Sequence, residues 1–143
     1  MTILRSIVSL AIALVLAAQT TAPSTAPSRS TGDGVFSAGQ ADRGKKAYGT
    51  LCARCHGATL LGNDDATPLV GKDFLKRWEG KSLGALVEYT RKEMPSDGPG
   101  KLTRRQCTDM AAYLLSANSF PAGQSELAPE LDVLNGIPIQ AKK

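Results

Sequence analysis

Histidine occurs once in these 143 residues, cysteine three times, and aromatic side chains make up only 5% of the chain. One histidine, His56, rules out any site that needs two imidazoles from the same chain. The few aromatics do not interleave with the basic clusters, so no stacking platform for nucleic-acid bases is present and no nucleic-acid partner is expected. No stretch alternates apolar and polar residues over any length, which argues against strands and for an all-α domain. Charge of neither sign dominates: 17 basic side chains stand against 13 acidic ones, a net +4. Residues 7–18 are apolar except for Ser9, a run of 12 and well short of the roughly 20 that cross a bilayer.

That run has another use. It follows a short positive leader with Arg5 and ends in small residues, Val15-Leu16-Ala17 or Leu16-Ala17-Ala18, which is the layout of a signal peptide over residues 1–18. The mature chain is then expected in the periplasm, and membrane attachment is expected only if the leader stays uncleaved. Residues 19–34 are mostly Thr, Ala, Pro, Ser and Gly, the composition of a disordered linker. A folded domain is expected over 35–123. An extended tail, 124–143, keeps Leu127, Leu131, Val133, Leu134 and Ile137 for contacts along it.

Three helix starts are legible. Ser37 and Gln40 form a capping-box pattern, after which Ala41, Gly44, Tyr48, Leu51, Cys52 and Cys55 recur at helical spacing, so both cysteines are expected at the end of one helical face. Ser82 caps a second helix through Leu83, Leu86, Val87 and Thr90 towards Met94, where Pro95 stops it. Thr103 and Gln106 open a third, with Cys107, Met110, Ala111 and Leu114 on one face and an end near Asn118. Three to four short helices make a small core, and a large apolar cofactor would supply part of what is missing.

Cys52-Ala53-Arg54-Cys55-His56 is the C-x-x-C-H pattern of c-type haem attachment. Two thiols spaced by a helical turn can bond the two vinyl groups along one porphyrin edge, and the adjoining imidazole then meets the iron from one face. A Cys52–Cys55 disulfide leaves His56 unexplained, a thioredoxin-like pair lacks its βαβ setting, and zinc lacks ligands. The sixth iron ligand is a methionine, another side chain or nothing. Met94 sits where a helix meets the Pro95-to-Gly100 loop, a stiff place from which to hold a thioether, whereas Met110 lies within an apolar stripe and is expected to fill core. His56 and Met94 are therefore the expected metal ligands. Cys107, the odd thiol, is expected to be a buried small hydrophobe, with an intermolecular bridge as the alternative.

With these features in place, residues 36–127 resemble a class I c-type cytochrome with one haem. Gln40-Ala41-Asp42-Arg43-Gly44, Pro68-Leu69-Val70-Gly71-Lys72-Asp73-Phe74, Trp78-Glu79-Gly80 and Glu93-Met94-Pro95 resemble, more narrowly, bacterial cytochromes c associated with quinoprotein alcohol or sugar dehydrogenases. The resemblance implies a small cytochrome c fold and a crossing of the first and last helices at Gly44 and Tyr113. It also implies a backbone carbonyl accepting a hydrogen bond from the His56 ring. Aligning Leu69 and Gly71 puts Thr67 where the family often has proline, so Thr67 or Pro68 supplies that carbonyl. Trp78 is implied as donor to a haem propionate, with core packing as its other role.

The function so implied is one-electron transfer through covalent haem c, with no catalytic residue. A quinoprotein-type dehydrogenase is the expected donor, an oxidase the expected acceptor, and the carrier a monomer. A haem-bearing subunit, or an open-site protein that binds peroxide or a diatomic gas, is the alternative. Basic clusters at Lys72, Lys76, Arg77 and Lys81 and at Arg91, Lys92, Lys101, Arg104 and Arg105 either steer an acidic partner or are plain solvated surface.

Overall fold

In a computed structural model of the chain, residues 29–64 and 66–140 are described. The expected signal peptide, residues 19–28 of the expected linker and the last three residues of the tail lie outside the described residues. Ser37 starts helix α1 (Ala38–Leu51) by accepting the Gln40 N–H, as its sequence position predicts. The Gln40 side chain, however, does not turn back to the cap. It is buried, accepts the Leu127 N–H at 2.7 Å, and donates to the Leu127 carbonyl at 3.0 Å and to Asp109 at 3.1 Å. The tail supplies backbone groups that must be paired once buried, and these outcompete the local cap. Arg43, one turn on, reaches the same two elements by ion pairs to Asp109 and Glu126.

Helix α1 ends at Cys52, whose backbone leaves helical geometry, and a single turn, α2 (Ala53–His56), follows. The two cysteines therefore do not share one continuous helical face, as the spacing had suggested. Helix α3 (Gly71–Trp78), absent from the sequence reading, buries Phe74 and Trp78 four residues apart. Helices α4 (Leu83–Glu93) and α5 (Arg104–Ala117) start at Ser82 and Thr103 as expected. At Thr103 the full reciprocal box forms, the Thr103 N–H donating to Gln106 at 2.9 Å and the Gln106 N–H to Thr103 at 3.2 Å. The tail is not extended throughout, because it turns once as α6 (Leu131–Asn135), which packs on α4 and buries Leu134. The described residues are thus all-α with six helices and no strand, only three isolated bridges.

The domain begins earlier than residue 35. Thr31 is fully buried; its N–H donates to the Pro138 carbonyl, and its hydroxyl donates to the Gln140 carbonyl while accepting the Gln140 N–H. Composition alone assigns Ser30 to Gly34 to the linker because the partners lie more than a hundred residues away. Ile139 and Ile137 in turn pair with the backbone at Gly80, Lys81 and Leu83, so the tail closes over the start of α4.

Helices α1 and α5 cross at Gly44, where an added Cβ would lie 1.9 Å from the Asp109 carbonyl oxygen and 2.9 Å from the Tyr113 Cβ. The resemblance implied this contact. It brings Tyr48 of α1 against Tyr113, ring centroids 5.4 Å apart, and sets the width of the space beyond them.

One basic cluster is largely engaged in ion pairs. Arg91, Lys92 and Arg104 all pair with Glu88, and Arg105 pairs with Glu126, whereas Lys72, Lys76, Arg77 and Lys81 form no ion pair among the described residues. Hydrogen bonds from Arg91, and after burial's opposing effect from Arg104, hold the Glu88 carboxyl at about 2, below its ordinary 4.5. Because the folded value is depressed, this stabilisation is present above about pH 4.5 and is lost as pH falls towards 2. Glu88→Gln should cost about 1–2 kcal/mol at pH 7, a charged hydrogen bond discounted for the exposure of its arginines, and much less at pH 2.5. Urea unfolding at the two pH values checks this; an equal deficit at both would contradict it.

Candidate haem site

Between α1, α4, α5 and the loops around α2 and α3 lies a cavity of about 360 Å³. All seven residues singled out in the sequence, Cys52, Cys55, His56, Thr67, Pro68, Trp78 and Met94, line it. They come from four separate stretches of chain, and the fold brings them together. Leu51, Leu69, Leu86 and Leu114 supply apolar wall.

The motif is held by its neighbours. The Cys55 and His56 N–H groups donate to the Cys52 carbonyl at 3.1 and 3.0 Å, closing the α2 turn. Tyr48 donates its hydroxyl to the Gly57 carbonyl at 2.6 Å, fixing the chain just past the histidine. Gly62 then donates to the His56 carbonyl; at φ +72°, with Ala66 O only 2.3 Å from where its Cβ would be, this position takes glycine alone. The loop returns with Leu69 N–H bonded to the Leu60 carbonyl and ends on Asn118, which accepts the Gly71 N–H and donates to the Leu69 and Leu114 carbonyls.

This folded loop places the Thr67 carbonyl 3.0 Å from His56 Nδ1. A carbonyl only accepts, so Nδ1 carries a proton, and in the neutral ring Nε2 keeps its lone pair. Of the two carbonyls left open by the sequence, Thr67 is the one in contact, and Pro68 is a wall residue. Cys52 and Cys55 are not bonded to each other. Two free thiols, an imidazole presenting Nε2 and a thioether from Met94 in one apolar cavity are a donor set that fits a covalent haem.

Met110 is also in the cavity wall, but its sulfur lies 3.6 Å from Cys52 Sγ and it is 2% exposed, so it fills space beside the attachment edge. Cys107 is 1% exposed, and burial pushes its thiol up to about 11. That fits a small buried hydrophobe, since a bridge to another chain would require α5 to lift. Trp78 is 6% exposed and meets Tyr89 edge-on at 5.5 Å, while Arg77 stands 4.7 Å from the Tyr89 ring and Lys81 5.3 Å from the indole. It therefore packs in the core and lines the cavity at once.

Tyr48, Arg77, Tyr89 and Thr90 are lining residues not singled out as site residues from sequence. Tyr89 was findable, being three residues after Leu86 on the face of α4 that ends at Met94. Arg77 stands in one basic cluster with Lys72, Lys76 and Lys81 in the sequence, and only the fold shows it at the cavity wall.

Fold, motif and donor set together define a c-type cytochrome domain carrying one covalent haem c. The chain belongs to the family described as "Cytochrome C oxidase, cbb3-type, subunit III", whose pattern it matches over residues 39–114, from α1 to the inner face of α5. No curated protein and no solved structure matches it. Membership makes this a haem-based electron-transfer protein with redox partners.

Proposed function

We propose that the protein is a periplasmic one-electron carrier in which His56 and Met94 would hold the haem iron and Cys52 and Cys55 would be the attachment points. The observation that carries this reading is the convergence of the His56 ring, oriented by the Thr67 carbonyl, and Met94 on one apolar cavity. When bound, the haem iron supplies a one-electron ferric–ferrous couple. The Thr67 carbonyl would keep the His56 ring in one tautomer and orientation. Met94, at the C-cap of α4, presents a soft thioether that favours the reduced iron and so a relatively high potential. Leu51, Leu69, Leu86 and Leu114 exclude water from the ligands. Trp78, with Arg77 and Lys81 close to its ring, would offer the propionates a donor and positive charge.

A potential raised by methionine suits a carrier that accepts electrons from a quinoprotein-type dehydrogenase and passes them to an oxidase; the family's description names an oxidase subunit. The leader over residues 1–18 supports export, and no helix among the described residues is long and apolar enough to cross a membrane. Lys72 and Lys76 of α3, which form no ion pair among the described residues, suit an acidic partner surface. A redox titration of the holoprotein tests the carrier role. One reversible one-electron step, low-spin in both states and with no peroxide turnover, is expected; a high-spin ferric form that turns over peroxide would replace it with the open-site reading.

A further inference from the structure

Arg54, between the two cysteines of Cys52-Ala53-Arg54-Cys55-His56, forms an ion pair with Asp97 in the loop that follows Met94-Pro95. Among the described residues the loop's backbone bonds are local: Gly98 donates to the Pro95 carbonyl within the loop at 2.9 Å, and Gly100 to the Arg91 carbonyl of α4 at 3.2 Å. The Arg54–Asp97 pair thus joins the loop after Met94 to the α2 turn that carries Cys55 and His56. We infer that Arg54 and Asp97 are positioning residues, an electrostatic latch that holds the Met94 loop closed against the attachment turn. The inference rests on Met94 ligation as proposed above. Neither side chain touches the iron; their effect is on how often the loop opens.

The pair is solvent-exposed, 72% and 61% for the two side chains, so its effect is modest and salt-sensitive. The test uses ferric holoprotein, with imidazole as the probe that replaces Met94 and hydrogen exchange as the readout of loop opening. Asp97→Asn and Arg54→Gln should each speed exchange at the Gly98 and Gly100 amides and tighten imidazole binding by about two- to five-fold at low salt. Near 1 M salt the difference should vanish, and the reversed pair, Arg54→Asp with Asp97→Arg, should restore wild-type behaviour. Wild-type exchange and imidazole affinity in both single variants would overturn the latch. Faster loop exchange together with an imidazole affinity that Met94→Ala does not change would instead sink the ligand assignment, while supporting the latch as a tie on the loop.

Discussion

Alanine at Gly44 is expected to destabilise the holoprotein by roughly 3 kcal/mol or more, the upper end of what overpacking costs. The new Cβ would meet the Asp109 carbonyl oxygen at 1.9 Å and the carbonyl carbon at 2.6 Å. Backbone cannot swing aside as a flexible side chain can, so α1 and α5 would have to separate. The effect reaches the cavity, because Tyr48 and Cys52 stand on one side of that crossing and Met110 and Leu114 on the other. Haem retention should fall with stability. Gly49 is the control: it lies on the same helix, exposed, with nothing within 4 Å of its Cβ position, and Gly49→Ala should be neutral or stabilising by about 0.5–1 kcal/mol. Denaturant unfolding of the two variants checks the contrast, and similar midpoints would show that the crossing is looser than described.

Met94→His is expected to lower the reduction potential by an amount on the order of 0.1–0.3 V, within the roughly 0.8 V over which axial ligands set haem potentials. Exchanging a thioether for an imidazole removes the preference for reduced iron. Met110→Leu, which changes a wall residue beside Cys52, should move the potential far less. Spectroelectrochemistry on the two holoproteins reads both numbers; a larger shift from Met110→Leu than from Met94→His would reverse the assignment of the two methionines.

What could be read from the sequence was what is local. Ser82 and Thr103 declare their helices because a cap and its partner are three residues apart. Cys52, Cys55 and His56 declare the cofactor because its attachment needs that spacing. Gln40 is the opposite case: its partners at Leu127 and Asp109 are 87 and 69 residues away, and no local pattern announces them. Thr31 is the same case, a polar residue in linker-like sequence made structural by Pro138 and Gln140. The break at Cys52 is also non-local, since the spacing from Gly44 to Cys55 is helical throughout and only the backbone at Cys52 departs from it. The choice between Thr67 and Pro68 needed the loop from Gly57 to Gly71 in three dimensions, because the two carbonyls are one residue apart in a chain that turns back between Asn63 and Ala66.

The most direct measurement is the near-infrared and visible spectrum of the ferric holoprotein, taken with carbon monoxide binding to the ferrous form, for the wild type and Met94→Ala. Ligation by His56 and Met94 predicts a weak sulfur-to-iron band and poor carbon monoxide binding in the wild type. In the variant the band should disappear, the ferric spectrum become high-spin and carbon monoxide bind readily. A wild type that already lacks the band and binds carbon monoxide, with a spectrum that Met94→Ala leaves unchanged, would contradict the account.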